Sequence, residues 1–296
     1  MSKLLDHLST PSTKTELNLF AVPATQVAIE NGYWHAARLI NSNSDTGPWR
    51  FCIQADPHYL QLNKNYLYIK LKIQTAAGAD ITAENVVGPI NLLAKTLFKQ
   101  IKIHINGKLA FDSSDMYAYR AYLETELNYD YGAKVSQLGA ALYEKDTPAN
   151  QVENIANTGF TARRNWFFNA GTNRVVELMA PIHADILMSD RLMLDNTEIH
   201  LELHRNPDSF ALLCFDAEPD QYKLQIQDMI WYIRKVELMK SVQVGLETAL
   251  QRHSAKYPVR RVDETSSYRR RSSFNTIKHT VHRTNSKTVG NWPSGL

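Results

Sequence analysis

Residues 100–107 read QIKIHING. Ile101, Ile103 and Ile105 take alternate positions, with Lys102 and His104 between them. Successive side chains of an extended strand point to opposite faces, so this spacing gathers three isoleucines on one side and the polar pair on the other. Asn106-Gly107 then supplies residues that tolerate the positive backbone angles of a two-residue hairpin turn. The stretch therefore predicts one antiparallel strand with a buried face and a wet face, turning directly into its partner.

The same alternation recurs along the chain. Residues 66–73, YLYIKLKI, place Leu67, Ile69, Leu71 and Ile73 on one face and Lys70 and Lys72 on the other. Residues 197–204, TEIHLELH, do so with Ile199, Leu201 and Leu203, and residues 50–54, RFCIQ, with Phe51 and Ile53. Segments 222–226 and 229–238 repeat the pattern. Many short alternating segments with one polar face are the mark of antiparallel sheets covered on one side. Three stretches break the period: 83–98, 115–127 and 242–253 carry apolar residues at helical spacing, although Pro89 limits where the first can start. Polar stretches 41–48, 75–82 and 147–165 read as loops. The expected fold class is mainly β: an antiparallel β-sandwich of jelly-roll type with short helices inserted between strands.

At 296 residues with 44% hydrophobic side chains, the chain can bury a real core. No apolar run approaches the ~20 residues of a membrane-spanning helix, and the polar start, MSKLLDHLSTPSTK, lacks a signal-peptide core. The expectation is an intracellular product, nuclear or cytoplasmic, with no membrane span. Two cysteines, Cys52 and Cys214, exclude a disulfide framework. The 33 basic and 30 acidic residues are unevenly spread: 265–296 holds six Lys or Arg and no Asp or Glu, so residues 1–264 carry a slight negative excess. Arg269, Arg270 and Arg271 in that basic stretch are candidate polyanion contacts.

No catalytic motif stands out. The sequence contains no G-x-S-x-G, H-E-x-x-H, EF-hand loop or C-x-x-C. His200, Glu202 and His204 would share one strand face over roughly 13 Å, too far for one metal ion and typical of a solvated face. Cupin enzymes, which are metal-binding jelly rolls, need clustered histidines. Here His35, His58, His104, His183, His200 and His204 are scattered. Asp185 and Asp190 offer no better pairing. The expectation is no enzyme, no cofactor and no metal. Tyr117, Tyr119 and Tyr122 lie on the helical stretch, where packing is the commoner use of tyrosine. A carbohydrate- or receptor-binding jelly-roll module is the alternative to an assembling one.

Longer matches add a family. Residues 16–34 (ELNLFAVPATQVAIENGYW), 87–109 (VGPINLLAKTLFKQIKIHINGKL), 116–147 (MYAYRAYLETELNYDYGAKVSQLGAALYEKDT), 179–205 (MAPIHADILMSDRLMLDNTEIHLELHR) and 255–262 (AKYPVRRV) resemble the major capsid proteins of the Polinton (Maverick) and adintovirus group. The resemblance covers about 250 residues in ordered blocks. It implies a double jelly-roll structural protein of the virion, without catalysis. Three chains per capsomer would tile an icosahedral shell with other capsid proteins, meeting the packaged DNA only indirectly. Tyr117, Tyr119, Arg120, Tyr122 and Glu124, on the most family-like helix, are the expected assembly or packing residues. The organisation this implies is an N-terminal arm at 1–15, a first jelly roll at 16–240, a helix and linker at 241–263, and a basic, disordered or frameshifted tail at 264–296. Members of the family continue into a second jelly roll, and the basic tail departs from that pattern. A first sandwich alone would expose apolar surface meant for its partner, so poor assembly and aggregation are expected of it.

Overall fold

The computed structural model describes residues 17–20, 22, 25–41, 46–152, 154–216 and 222–259, and the backbone of 262–268 and 277–283. The expected arm at 1–15 and Arg269, Arg270 and Arg271 lie outside the described residues.

Eight strands form two four-stranded sheets. They are β1 (Ile29–Arg38), β2 (Trp49–Ile53), β3 (Tyr59–Thr75), β4 (Phe98–Ile105), β5 (Lys108–Asp112), β6 (Val176–Ala180), β7 (Ile199–Arg205) and β8 (Tyr222–Leu238). One sheet has the order β1-β8-β3-β6 and the other β2-β7-β4-β5. Apart from the β4–β5 hairpin, consecutive strands alternate between the two sheets, which is the double Greek key of a jelly roll. The hairpin forms as the sequence requires: Asn106 and Gly107 both have positive φ, 48° and 74°, and join β4 to β5.

Register explains why alternation decides the fold. Across the second sheet, Phe51, Leu201 and Ile103 are direct partners, flanked by the rows Ile53–Ile199–Ile105 and Trp49–Leu203–Ile101. All nine side chains are buried. In the other sheet Leu67, Ile69 and Leu71 face Ala180, Leu178 and Val176, again buried. Full burial of each aliphatic side chain is worth about 1.5–3 kcal/mol, and a one-residue slip would turn the whole set to water. The intervening row Arg50–Glu202–Lys102 stays on the wet face, where Arg50 Nε donates to Glu202 at 2.9 Å.

Helices depart from expectation in two places. Residues 83–98 do not form one helix. Val87–Pro89 is a short strand paired with Leu212–Cys214, and only Leu93–Thr96 is helical. Pro89 cannot donate a helical hydrogen bond, and Leu92, at φ 57°, turns the chain through the left-handed region just before the helical turn. Conversely, the expected loop 147–165 contains a helix, Thr158–Phe167. Asn157 starts it: its side-chain oxygen accepts from the Gly159 and Phe160 amides while its Nδ2 donates to the Pro148 and Gln151 carbonyls. The other two expected helices are present as Tyr117–Asn128 and Lys240–Leu250. The three are α1 (Tyr117–Asn128), α2 (Thr158–Phe167) and α3 (Lys240–Leu250).

The chain divides into two compact units, residues 34–234 and residues 1–33 with 235–296. The first holds α1 and α2. The second holds α3 and an antiparallel pair, Val262–Tyr268 with Ile277–Arg283.

Candidate functional site

The family-like helix α1 follows β5 through a single 3-10 turn, Ser114–Met116. Its inward face takes only one of the three tyrosines for which packing was expected. Tyr117, Ala118, Arg120, Ala121 and Thr125 are buried, whereas Tyr119 is 46%, Tyr122 37% and Leu127 77% exposed. The helix is rotated because a cationic side chain has found anionic partners inside, which the one-dimensional pattern cannot show.

Those partners form a buried charge network. Arg120 pairs with Asp185 through Nη2 and with Glu124 through Nε at 3.0 Å. The second oxygen of Glu124 lies 2.9 Å from His183 Nδ1. On the far side of the ring, His183 Nε2 is 2.9 Å from Lys95 Nζ, which also donates to Thr125 Oγ1 at 2.8 Å. The Tyr117 hydroxyl accepts from the His183 amide at 3.1 Å. An ammonium can only donate, so His183 must accept at Nε2 and donate from Nδ1 to Glu124; this neutral tautomer satisfies every partner. Lys95 comes from the turn after Leu92, and His183 and Asp185 from the segment after β6, so the network ties three separate stretches together.

Electrostatics follow from this burial. Desolvation lowers Lys95 to about 8, although Glu124 pulls the other way. Desolvation likewise lowers His183, helped by the Lys95 charge, and pushes the Tyr117 hydroxyl up. Burial opposes ionisation of Glu124, but the His183 hydrogen bond and the Arg120 charge outweigh it and hold its carboxyl below the usual range. A lysine lowered by burial resembles a catalytic one. Here, however, its ammonium is committed to Thr125 and His183, and Lys95 as a whole is 1% exposed. The arrangement locks rather than reacts.

A pH dependence follows. An unfolded His183 takes up a proton near its ordinary 6.5, whereas the folded one resists it, so this stabilisation is complete above 6.5 and is lost as pH falls below it. Glu124 adds stability above its ordinary 4.5, lost as pH falls through and below that value. Both slopes have the same sign. The urea unfolding midpoint is expected to fall steadily from pH 7 to pH 4, and His183→Gln is expected to flatten the upper part of that fall. A midpoint constant across this range contradicts the assignment.

The remaining sequence candidates lie elsewhere. Tyr119 and Tyr122 face outward, with Tyr119 stacked edge-on against Phe210 at 5.9 Å. Tyr117, Arg120 and Glu124 belong to the network. His200 and His204 sit on the wet face of β7 beside Glu198 and Glu202, at 3.0 and 2.7 Å. Asp185, dismissed in sequence as a chance acid, is the buried partner of Arg120. An open pocket of about 830 Å³ includes Tyr131, Val135, Tyr143, Trp166, Lys134 and Glu126 in its lining. No described helix is long and apolar enough to cross a membrane.

No protein-family model matches the chain. F54H12.2, an uncharacterized protein of Caenorhabditis elegans, is 28% identical over 247 residues, which cover 80% of this chain and 57% of the worm protein. Among solved structures, the Faustovirus major capsid protein matches with a TM-score of 0.47 and 11% identity, over 86% of this chain and 62% of its own. The mavirus major capsid protein matches with a TM-score of 0.44 and 13% identity, over 90% and 58%. The chain thus spans a little over half the length of these proteins.

Proposed function

We propose that the chain is a non-catalytic shell subunit, a jelly-roll capsid protein of Polinton type whose copies associate into trimeric capsomers of a virion. The observation that carries this reading is the strand order itself. Sheets β1-β8-β3-β6 and β2-β7-β4-β5 make the jelly roll shared by viral capsid, lectin and cupin domains. The cupin branch fits poorly, because the inward face of the β2-β7-β4-β5 sheet is apolar and His104, His200 and His204 lie on its half-exposed face. The described surface favours association. Leu17, Leu19, Phe20 and Val22 are 69–99% exposed, and Val244 and Leu246 of α3 are exposed as well. Exposed apolar side chains in this number call for a cover. Arg269, Arg270 and Arg271 remain in the proposal as polyanion contacts.

Within this reading, Tyr119 and Tyr122 are the outward half of the assembly surface, and Tyr117, Arg120 and Glu124 hold the helix that presents them. A Tyr119→Asp, Tyr122→Asp double variant is expected to keep its fold by circular dichroism and shift toward monomer by light scattering. A folded variant that associates like the parent removes these tyrosines from the interface. A second reading, a glycan-binding module, draws on the pocket beside Trp166. Saturable glycan binding lost in Trp166→Ala, by a chain that stays monomeric, would favour it over the shell subunit.

A further inference from the structure

The wet face of the second sheet carries a cluster that reading along the chain does not assemble. Cys52 on β2 and His200 on β7 are direct cross-strand partners, and Glu198 lies two residues before His200. Cys52 Sγ is 3.9 Å from His200 Nε2 and 3.6 Å from Glu198 Oε1, and that oxygen is 3.0 Å from Nε2. These are a thiol, an imidazole and a carboxylate with their donor atoms converging within 4.8 Å.

We propose that Cys52, Glu198 and His200 form a binding site for a zinc-class divalent transition-metal ion, clamping β2 to β7. The geometry is the first argument. Zinc bonds of ~2.3 Å to sulfur and ~2.0–2.1 Å to nitrogen and oxygen, at tetrahedral angles, require donor separations of about 3.6 Å for sulfur–nitrogen, 3.5 Å for sulfur–oxygen and 3.3 Å for nitrogen–oxygen. The observed triangle departs from these edges by only a few tenths of an ångström, so small side-chain rotations close it. Donor chemistry is the second argument. Thiolate with imidazole selects zinc-like ions over magnesium or calcium, which take all-oxygen sites. Position is the third. β2 is the edge strand of its sheet, and a cation bridging it to β7 would hold that edge in register. His104, the partner of His200 on β4, puts a further imidazole on the same face.

Binding balances simply. The Cys52 thiol releases its proton to water and Sγ donates an electron pair to the metal. His200 binds through Nε2 with its proton on Nδ1, Glu198 binds through Oε1, and nothing is oxidised or reduced. Without the ion, burial and the Glu198 charge hold the thiol protonated; a divalent cation at the centre of the triangle reverses that balance.

The test is a Co²⁺ titration of the reduced full-length chain, followed by thiolate-to-cobalt charge-transfer absorption and displacement with Zn²⁺. The expected result is one ion per chain and a charge-transfer band that Cys52→Ala abolishes. His200→Ala and Glu198→Gln should each weaken binding at least tenfold. Cys214→Ala, at the other free thiol, should change nothing. Zn²⁺, but not Mg²⁺, should raise the unfolding temperature of the parent and not of Cys52→Ala. Absence of the band in the parent, its survival in Cys52→Ala or its loss in Cys214→Ala overturns the site. Because the donors are half-exposed, the variants are expected to fold, and the parent titration decides the matter even if one does not.

Discussion

Arg120→Ala is expected to cost the chain roughly 3–5 kcal/mol of folding stability, because it removes the cation paired with the buried Asp185 carboxylate. Arg120 and Asp185 side chains are 7% and 5% exposed, so water cannot replace the lost partner. Glu124 loses its contact as well, and its remaining tie to His183 leans on a lysine that burial already disfavours. Removing both members of the main pair, Arg120→Met with Asp185→Leu, is expected to recover a substantial part of the loss, since two apolar side chains need no counter-ion. Urea denaturation of the parent, both single variants and the double variant completes the cycle. A loss below about 1 kcal/mol in Arg120→Ala would mean the pair is no more than a surface ion pair in its energetics.

Leu201→Asp is expected to prevent folding outright. Leu201 occupies the centre of the buried row Phe51–Leu201–Ile103, so a carboxylate there has neither water nor a counter-charge. On the neighbouring wet row, Lys102→Gln should shift stability by no more than about 0.5 kcal/mol, as ordinary surface substitutions do. Soluble expression and near-ultraviolet circular dichroism of the two variants make the comparison. Equal tolerance of both would mean that β7 and β4 do not present the faces assigned to them.

Strands with strict alternation were legible because one face of each is buried. Strand β4 over 101–105, β7 over 199–203 and β3 over 65–73 are of this kind, whereas in β8 the alternation breaks where Met229, Ile230 and Trp231 are all buried. Strand β1 was not legible: IENGYWHAAR is largely exposed at a sheet edge and carries no alternating burial. Strand β6, VELMA, alternates in burial, but Met179 at an outward position blurs its polar–apolar pattern. The missed helix α2 begins at an asparagine among other loop-forming residues, and only its four side-chain hydrogen bonds mark it as a cap. For the candidate site, the sequence placed a helix at 115–127 but did not show which way it faces. The Arg120–Asp185 contact spans 65 residues and that of Cys52 with Glu198 spans 146, distances at which no local spacing rule operates.

The most direct measurement of the central claim is the molar mass of the full chain, by light scattering coupled to sizing, across a wide concentration range. As a shell subunit with uncovered apolar surface, the chain should exceed the monomer mass of 33.8 kDa and rise with concentration, through the three-chain mass and into the aggregates expected of a first sandwich alone. A folded chain that remains monomeric across the whole range would contradict the account.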